Sequence, residues 1–249
     1  MTSEPGTALL LHGLAGSAAT WWRIRDELTA AGWQVTAPDL RGHASGIRRA
    51  DYRHDAYADD ALALRPPNGT WDLVVGHSLG GAIAVRASAR DAGWARRLAL
   101  LDPVLHLPDE IRAEVRAGEL DDLTATDASL AAEKPHWHER DRREKVAAAQ
   151  AADAGAVAAT LDQNDPWDLR TDAAAISVPT LVLAGDPAVF TFIGTALAAE
   201  LLRANPRIRY APVAGAGHGP HRDRPAATLA MLREWAESPL TTSEASSRD

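Results

Sequence analysis

One short stretch constrains this chain more than any other: Gly76-His77-Ser78-Leu79-Gly80, entered from Trp71-Asp72-Leu73-Val74-Val75 and left through Gly81-Ala82-Ile83-Ala84-Val85-Arg86-Ala87. Leu73 to Val75 is an apolar run of the kind a strand buried on both faces needs, and the residues after Gly80 follow a small-residue helix pattern. A serine between such a strand and such a helix sits on a sharp turn with its hydroxyl projecting from the backbone. The flanking positions must be almost bare so that strand and helix can approach, which Gly76 and Gly80 allow. The helix start aims N–H groups at the serine, ready to stabilise negative charge on a reacting oxygen.

The remainder of the chain sets that turn in an α/β pattern. Thr7 to Leu11 reads as a first buried strand ending in the glycine-punctuated loop His12-Gly13-Leu14-Ala15-Gly16. A helix carrying Trp21, Ile24 and Leu28 on one face follows, then a strand from Gln34 to Ala37 and the loop Pro38-Asp39-Leu40-Arg41-Gly42-His43. A second helix spans Asp51 to Leu64, and after the central turn Arg97 to Leu101 is a fourth strand closed by Asp102-Pro103. Alternation of this kind signals a parallel sheet covered by helices, with polar motifs gathered at the carboxyl ends of the strands.

Residues 105–172 break the pattern. They are rich in Ala, Glu, Asp and Arg, read as a run of helices and include Trp137 and Trp167. So long a stretch is not a simple loop in a compact domain, and a helical cap over the site is expected. The sheet resumes at Pro179 to Ala184, followed by Gly185-Asp186-Pro187, a helix from Phe190 to Ala204, a strand from Arg207 to Val213 and a helix from Ala226 to Ala236. The expected division is a core of residues 1–104 and 173–237, a cap of 105–172 and a disordered tail of 238–249.

Composition narrows the partners. The net charge of −8 disfavours nucleic acid and anionic membranes, whose phosphates would be repelled. Cysteine is absent, which removes disulfide and thiolate chemistry. Residues 1–6 lack the basic and apolar segments of a signal peptide, and Ala8 to Leu11 is too short to span a bilayer. A soluble cytoplasmic protein, monomeric or homodimeric and acting on a small molecule, is the expectation. No phosphate loop or dinucleotide fingerprint occurs, and His136 and His138 have no clustered third ligand, so neither cofactor nor metal is expected. The basic residues are nearly all arginine, with Lys134 and Lys145 the only lysines, a bias that reads as genome composition.

From Leu9 to about Trp235 the chain resembles the α/β-hydrolase superfamily, and the Ser78 turn resembles its nucleophile elbow. The resemblance implies an α/β-hydrolase fold with a sheet of about six strands, since larger relatives begin with two further strands. It also implies the chain order serine, acid, histidine, which makes Ser78 the nucleophile and His218, on the loop Gly215-Ala216-Gly217-His218-Gly219, its base. His221 is a rival for that role, and His77 is expected to be structural. The His12-Gly13 loop resembles the family's oxyanion loop, which implies backbone donors at Leu14 and Leu79. Asp39 to His43 matches a loop that is mainly architectural in the family. Asp102 and Asp186 both end strands on the correct side; relatives usually place the acid after the later strand, so Asp186 is the expected third member.

The implied activity is hydrolysis of a small, mostly apolar carboxylic ester, lactone or thioester through an acyl-enzyme on Ser78. Lyases, C–C hydrolases and cofactor-free perhydrolases share the same triad, and receptor-like relatives use the pocket for sensing. Epoxide hydrolases and haloalkane dehalogenases are disfavoured because they carry aspartate where this chain has Ser78. The expected apolar wall comprises Leu14, Leu79, Trp21 or Trp22, Trp137 and Trp167 as substrate contacts, core packing being the favoured reading for Trp21, which shares a helix face with Ile24 and Leu28.

Overall fold

The structure, a computed structural model, describes residues 6–239, so most of the expected tail lies outside the described residues. In chain order the elements are β1 (Thr7–Leu11), α1 (Trp22–Ala30), β2 (Gln34–Thr36), α2 (His54–Ala63), β3 (Leu73–His77), α3 (Leu79–Arg90) and β4 (Leu98–Leu101). Then come β5 (His106–Leu107), α4 (Asp109–Asp121), α5 (Asp127–Glu133), α6 (Glu139–Ala151), α7 (Ala154–Asp162), β6 (Trp167–Asp168) and α8 (Arg170–Ala175). The chain closes with β7 (Thr180–Ala184), α9 (Thr195–Ala204), β8 (Ile208–Pro212), α10 (Pro220–Asp223) and α11 (Pro225–Glu237).

Six parallel strands form one sheet in the order β2-β1-β3-β4-β7-β8, which with the flanking helices and the inserted helical region is the α/β-hydrolase fold. Alternate residues of each inner strand face opposite layers, as the two-residue strand period requires. Leu9, Leu11, Val74, Leu98, Leu100 and Val182 pack with Tyr57, Ile83 and Leu201 on one side. Leu10, Leu73, Val75, Leu101, Leu181 and Leu183 pack with Trp21, Ile24, Leu232 and Trp235 on the other. A strand wetted on neither face reads as an unbroken apolar run, which is why β1, β3, β4 and β7 are visible in the sequence.

The chain runs outward from β1 to β2 and returns to β3 on the far side of β1. Their carboxyl ends therefore flank a topological switch point, where open α/β sheets form their crevices. The insertion leaves and re-enters through the antiparallel pair β5 and β6, in register His106↔Asp168 and Leu107↔Trp167. That pairing was not expected, since two residues per strand carry no readable alternation. The helices between them were: α5 starts in a capping box from Thr126 and Ser129, and Asp153 accepts the Ala156 N–H at the start of α7. The helix expected from Phe190 begins only at Thr195, because the Thr191 hydroxyl and the Phe192 N–H both donate to the Asp102 carboxylate instead.

Candidate active site

β3 delivers Ser78 and α3 begins at Leu79, so the serine occupies the link itself, at φ 52 and ψ −118. This is a costly conformation for a residue with a side chain, and it persists only where its surroundings enforce it. The enforcement is steric and local. A Cβ on Gly80 would lie 2.0 Å from the Leu11 carbonyl oxygen, so only glycine lets α3 press against β1. The Ser78 N–H donates to Leu101 O at 3.1 Å, and its carbonyl receives Gly81 N and Ala82 N at 3.0 and 3.1 Å. Ser78 is 5% exposed and opens onto a cavity of about 260 Å³, just under the usual range of ligand pockets, roughly 300–1,000 Å³.

The loop after β1 forms the second edge of that cavity. Gly16 N donates to Gly13 O at 3.1 Å, and a Cβ on Gly13 would meet the His77 ring at 2.8 Å and Ser78 Cβ at 3.0 Å. His12 fastens this loop to the Asp39–His43 loop: its Nε2 accepts the Leu40 N–H at 3.0 Å, so its proton resides on Nδ1, which donates to Gly13 O at 2.8 Å. Burial pushes its pKa down to about 3, so the ring stays neutral and keeps that tautomer. Leu14 lines the cavity, and the Leu79 N–H stands in the first turn of α3, where helix geometry leaves N–H groups unpaired.

His218 comes from the loop after β8, and its Nδ1 donates to Asp102 Oδ2 at 2.7 Å. The expected acid, Asp186, is not there. Its carboxylate instead accepts Ala188 N at 2.9 Å and Gly215 N at 2.8 Å, bonds that hold its pKa below the usual value and tie two loops together. The reason is strand order. β4 lies between β3 and β7, in register His77↔Leu101 and Leu101↔Leu183, so Asp102 follows β4 alongside Ser78 and beneath the histidine loop. Asp102 is 0% exposed at φ 40, and its carboxylate also accepts from Gly185 N and Phe192 N, both at 3.2 Å, and from the Thr191 hydroxyl.

The histidine loop is held from below as well. His77 Nε2 donates to the His218 carbonyl at 2.9 Å, and the rings of His77 and Phe192 lie 4.9 and 4.8 Å from that of His218. His221 is buried between His77 and Trp21, with ring centroids at 4.8 and 5.3 Å. Burial drives the pKa of both His77 and His221 well down, which makes them neutral packing groups; of these three histidines, His218 is the one paired with a carboxylate.

The expected apolar wall is not what the insertion supplies. Around Ser78 and His218 the cavity is lined by Glu119, Asp122, Glu133, Lys134, Lys145 and Arg222, with Leu14, Trp137 and Phe190 its apolar members. Trp137 lines the cavity, but Trp167 does not: it is buried in the neck of the insertion, donating to Val104 O at 2.7 Å with its ring 4.4 Å from that of His54. Leu79 is buried in the core, as is Trp21, the latter as assigned from its helix face. Trp22 donates to Asp141 at 2.8 Å, lies between Arg23 and Arg140, and is not among the residues that line the cavity. Sequence reasoning missed Lys134, Lys145 and Arg222, although one signal was available. Both lysines of an arginine-rich chain line this cavity.

Fold and site define a class: a six-stranded parallel sheet with a serine on the turn after a central strand, a late histidine paired with a carboxylate, and helices inserted above them. The chain belongs to the alpha/beta hydrolase family, whose sequence profile matches residues 8–231. It is 34% identical over 106 residues to the lipase LipV of Mycobacterium tuberculosis, a match covering 42% of this chain and 40% of that protein. Over 251 residues it is 26% identical to the 2-(acetamidomethylene)succinate hydrolase of Mesorhizobium japonicum, covering 92% of this chain and 87% of that one. Among solved structures, an E-2-(acetamidomethylene)succinate hydrolase superposes with a TM-score of 0.79 at 22% identity, over 95% of this chain and 92% of its own. Among the described residues no helix is long and apolar enough to cross a membrane, and no group of three or more His, Asp or Glu is placed to hold a metal ion.

Proposed function

We propose that the protein is a serine hydrolase that cleaves a small carboxylic ester, thioester or lactone through an acyl-enzyme on Ser78. The observation that carries this reading is the His218–Asp102 bond at the edge of the cavity onto which Ser78 opens. Asp102 holds the proton on Nδ1, so Nε2 is the basic nitrogen of His218. As the Ser78 oxygen attacks the substrate carbonyl carbon, Nε2 takes its proton. The carbonyl oxygen becomes an oxyanion held by the Leu14 and Leu79 N–H groups, fixed donors that need no reorganisation during reaction. Collapse breaks the acyl–oxygen bond, or acyl–sulfur in a thioester, and Nε2 returns the proton to the leaving group. Water then repeats the cycle on the acyl-enzyme and releases the acid.

The lyase reading calls for several arginines in the pocket, and among the described residues Arg222 alone of the arginines lines it. Hydrolysis is therefore the better-supported chemistry. A fluorophosphonate is expected to label Ser78 and to abolish turnover of a short p-nitrophenyl ester. Absence of both labelling and turnover would overturn the reading.

A further inference from the structure

Most charges around the cavity are matched where they stand. Lys145 Nζ lies 3.2 Å from Asp122, and Lys134 lies 3.0 Å from Glu133. Asp223 accepts Trp137 Nε1 at 2.6 Å, His136 Nε2 at 3.0 Å and the Gly217 N–H at 2.7 Å. Glu119 has its carboxyl pKa raised by burial, which favours the uncharged acid.

Arg222 is the exception. It is 9% exposed and lines the cavity with Ser78 and His218. Among the described residues no hydrogen bond or ion pair reaches its guanidinium. Asp122, Asp141 and Asp223 act on it only through space, and burial lowers its pKa. Its Cζ lies 5.3 Å from the centroid of the Trp137 ring. That ring is itself fixed by Asp223, so the guanidinium lies over a braced aromatic face with its N–H fork unused. A buried cation left in this state is costly unless a counter-charge arrives, and the planar fork matches a carboxylate in bidentate fashion.

We propose that Arg222 is the receptor for a carboxylate of the substrate, so that the bond cleaved at Ser78 belongs to a molecule carrying a free carboxylate in its acyl or leaving part. The proposal names the substrate class of the hydrolase reading and rests on it. Trp137 acts as the platform that aims the guanidinium.

The test compares mono-p-nitrophenyl esters of succinic and glutaric acid with the neutral p-nitrophenyl butyrate, in the unmodified protein and in Arg222→Gln and Arg222→Lys. The charged esters are expected to be preferred. Arg222→Gln should lower the charged-to-neutral ratio of kcat/KM by about 30-fold or more, mainly through KM, and Arg222→Lys should recover part of it, since a point charge replaces a fork. An unchanged ratio, or equal loss on both ester types, overturns the proposal. An arm without turnover separates the two readings: calorimetric binding of glutarate to Ser78→Ala and to Ser78→Ala/Arg222→Gln. Arg222-dependent glutarate binding in a protein that neither cleaves esters nor labels at Ser78 removes the hydrolase and keeps the anion site. Ester turnover with neither preference for charged esters nor glutarate binding keeps the hydrolase and removes the site. Should Arg222→Gln fail to fold, the unmodified protein still decides the matter through competition with fluorophosphonate. Protection of Ser78 by glutarate but not by butyramide supports the carboxylate receptor, and equal protection or none overturns it.

Discussion

Ser78 and His218 reach the cavity from the carboxyl ends of parallel strands, with Asp102 buried behind His218, whereas Glu119, Lys134, Trp137 and Lys145 reach it from the inserted helices and the turns beside them. On the strand side, position is set by backbone: the Ser78 turn is enforced by Gly80 against Leu11, and Asp102 is gripped by two N–H groups and a hydroxyl besides His218. On the insertion side, position is set by pairing between side chains, as in Lys145 with Asp122. The difference separates two jobs. On the proposed reading, the groups that must be within tenths of an ångström of a reacting atom stand on the sheet and its loops, Arg222 stands on α10 beside the histidine loop, and the rest of the cavity wall comes from an element that can vary without disturbing them.

The strongest way to break this comparison is to remove the strand-side groups. Ser78→Ala and Asp102→Asn are each expected to lower kcat by about 10³- to 10⁴-fold or more, Ser78→Ala with little change in thermal midpoint. Asp186→Asn should lower it less than about threefold. If steady-state kinetics gave the reverse order for the two aspartates, the His218–Asp102 bond would not be the catalytic one.

Acid should expose the strand side next. His12 and His54 are buried with pKa values pushed down to about 3, and His43, His77 and His221 are lowered by burial as well. Each binds a proton more readily when unfolded, near its ordinary value of about 6.5, than when folded. Stability is therefore full above pH 6.5 and falls as pH drops toward 3, each such histidine adding a slope of up to about 1.4 kcal/mol per pH unit. Urea midpoints that stayed level from pH 7.5 to pH 5 would contradict this burial of neutral rings.

Insertion-side changes should be gentler. Trp137→Phe removes the donor to Asp223 and loosens the platform under Arg222, so kcat/KM for a carboxylate-bearing ester is expected to fall about tenfold, while fluorophosphonate labels Ser78 at nearly the original rate. A slowed labelling rate would show that Trp137 supports the catalytic groups as well. The smallest effect is assigned to Trp167→Phe, which should cost roughly 1 kcal/mol of stability through loss of the bond to Val104 O and change kcat/KM less than threefold. A large rise in KM would return Trp167 to the substrate wall.

The sequence alone determined the frame: four buried strands as apolar runs, the glycine-flanked Ser78, the His12-Gly13 loop and the late His218 are local patterns, readable because a turn or a doubly buried strand restricts which residues can occupy it. It also announced an inserted helical region and most of its helices, whose periodicity is local. Which aspartate meets His218 was not local. That choice depends on β4 lying between β3 and β7, and Asp102 and Asp186 are equivalent until strand order is known. The insertion's tryptophans likewise looked alike along the chain, yet Trp137 faces the cavity and Trp167 closes the neck. The charge of the cavity was hidden for the same reason: Lys145, Arg222 and Glu119 come from separate elements, and only the packing of α4, α6 and α10 around the histidine loop makes them one surface. Local sterics leave their mark in sequence, whereas the encounter of distant side chains is decided by how layers stack, which no single stretch of residues records.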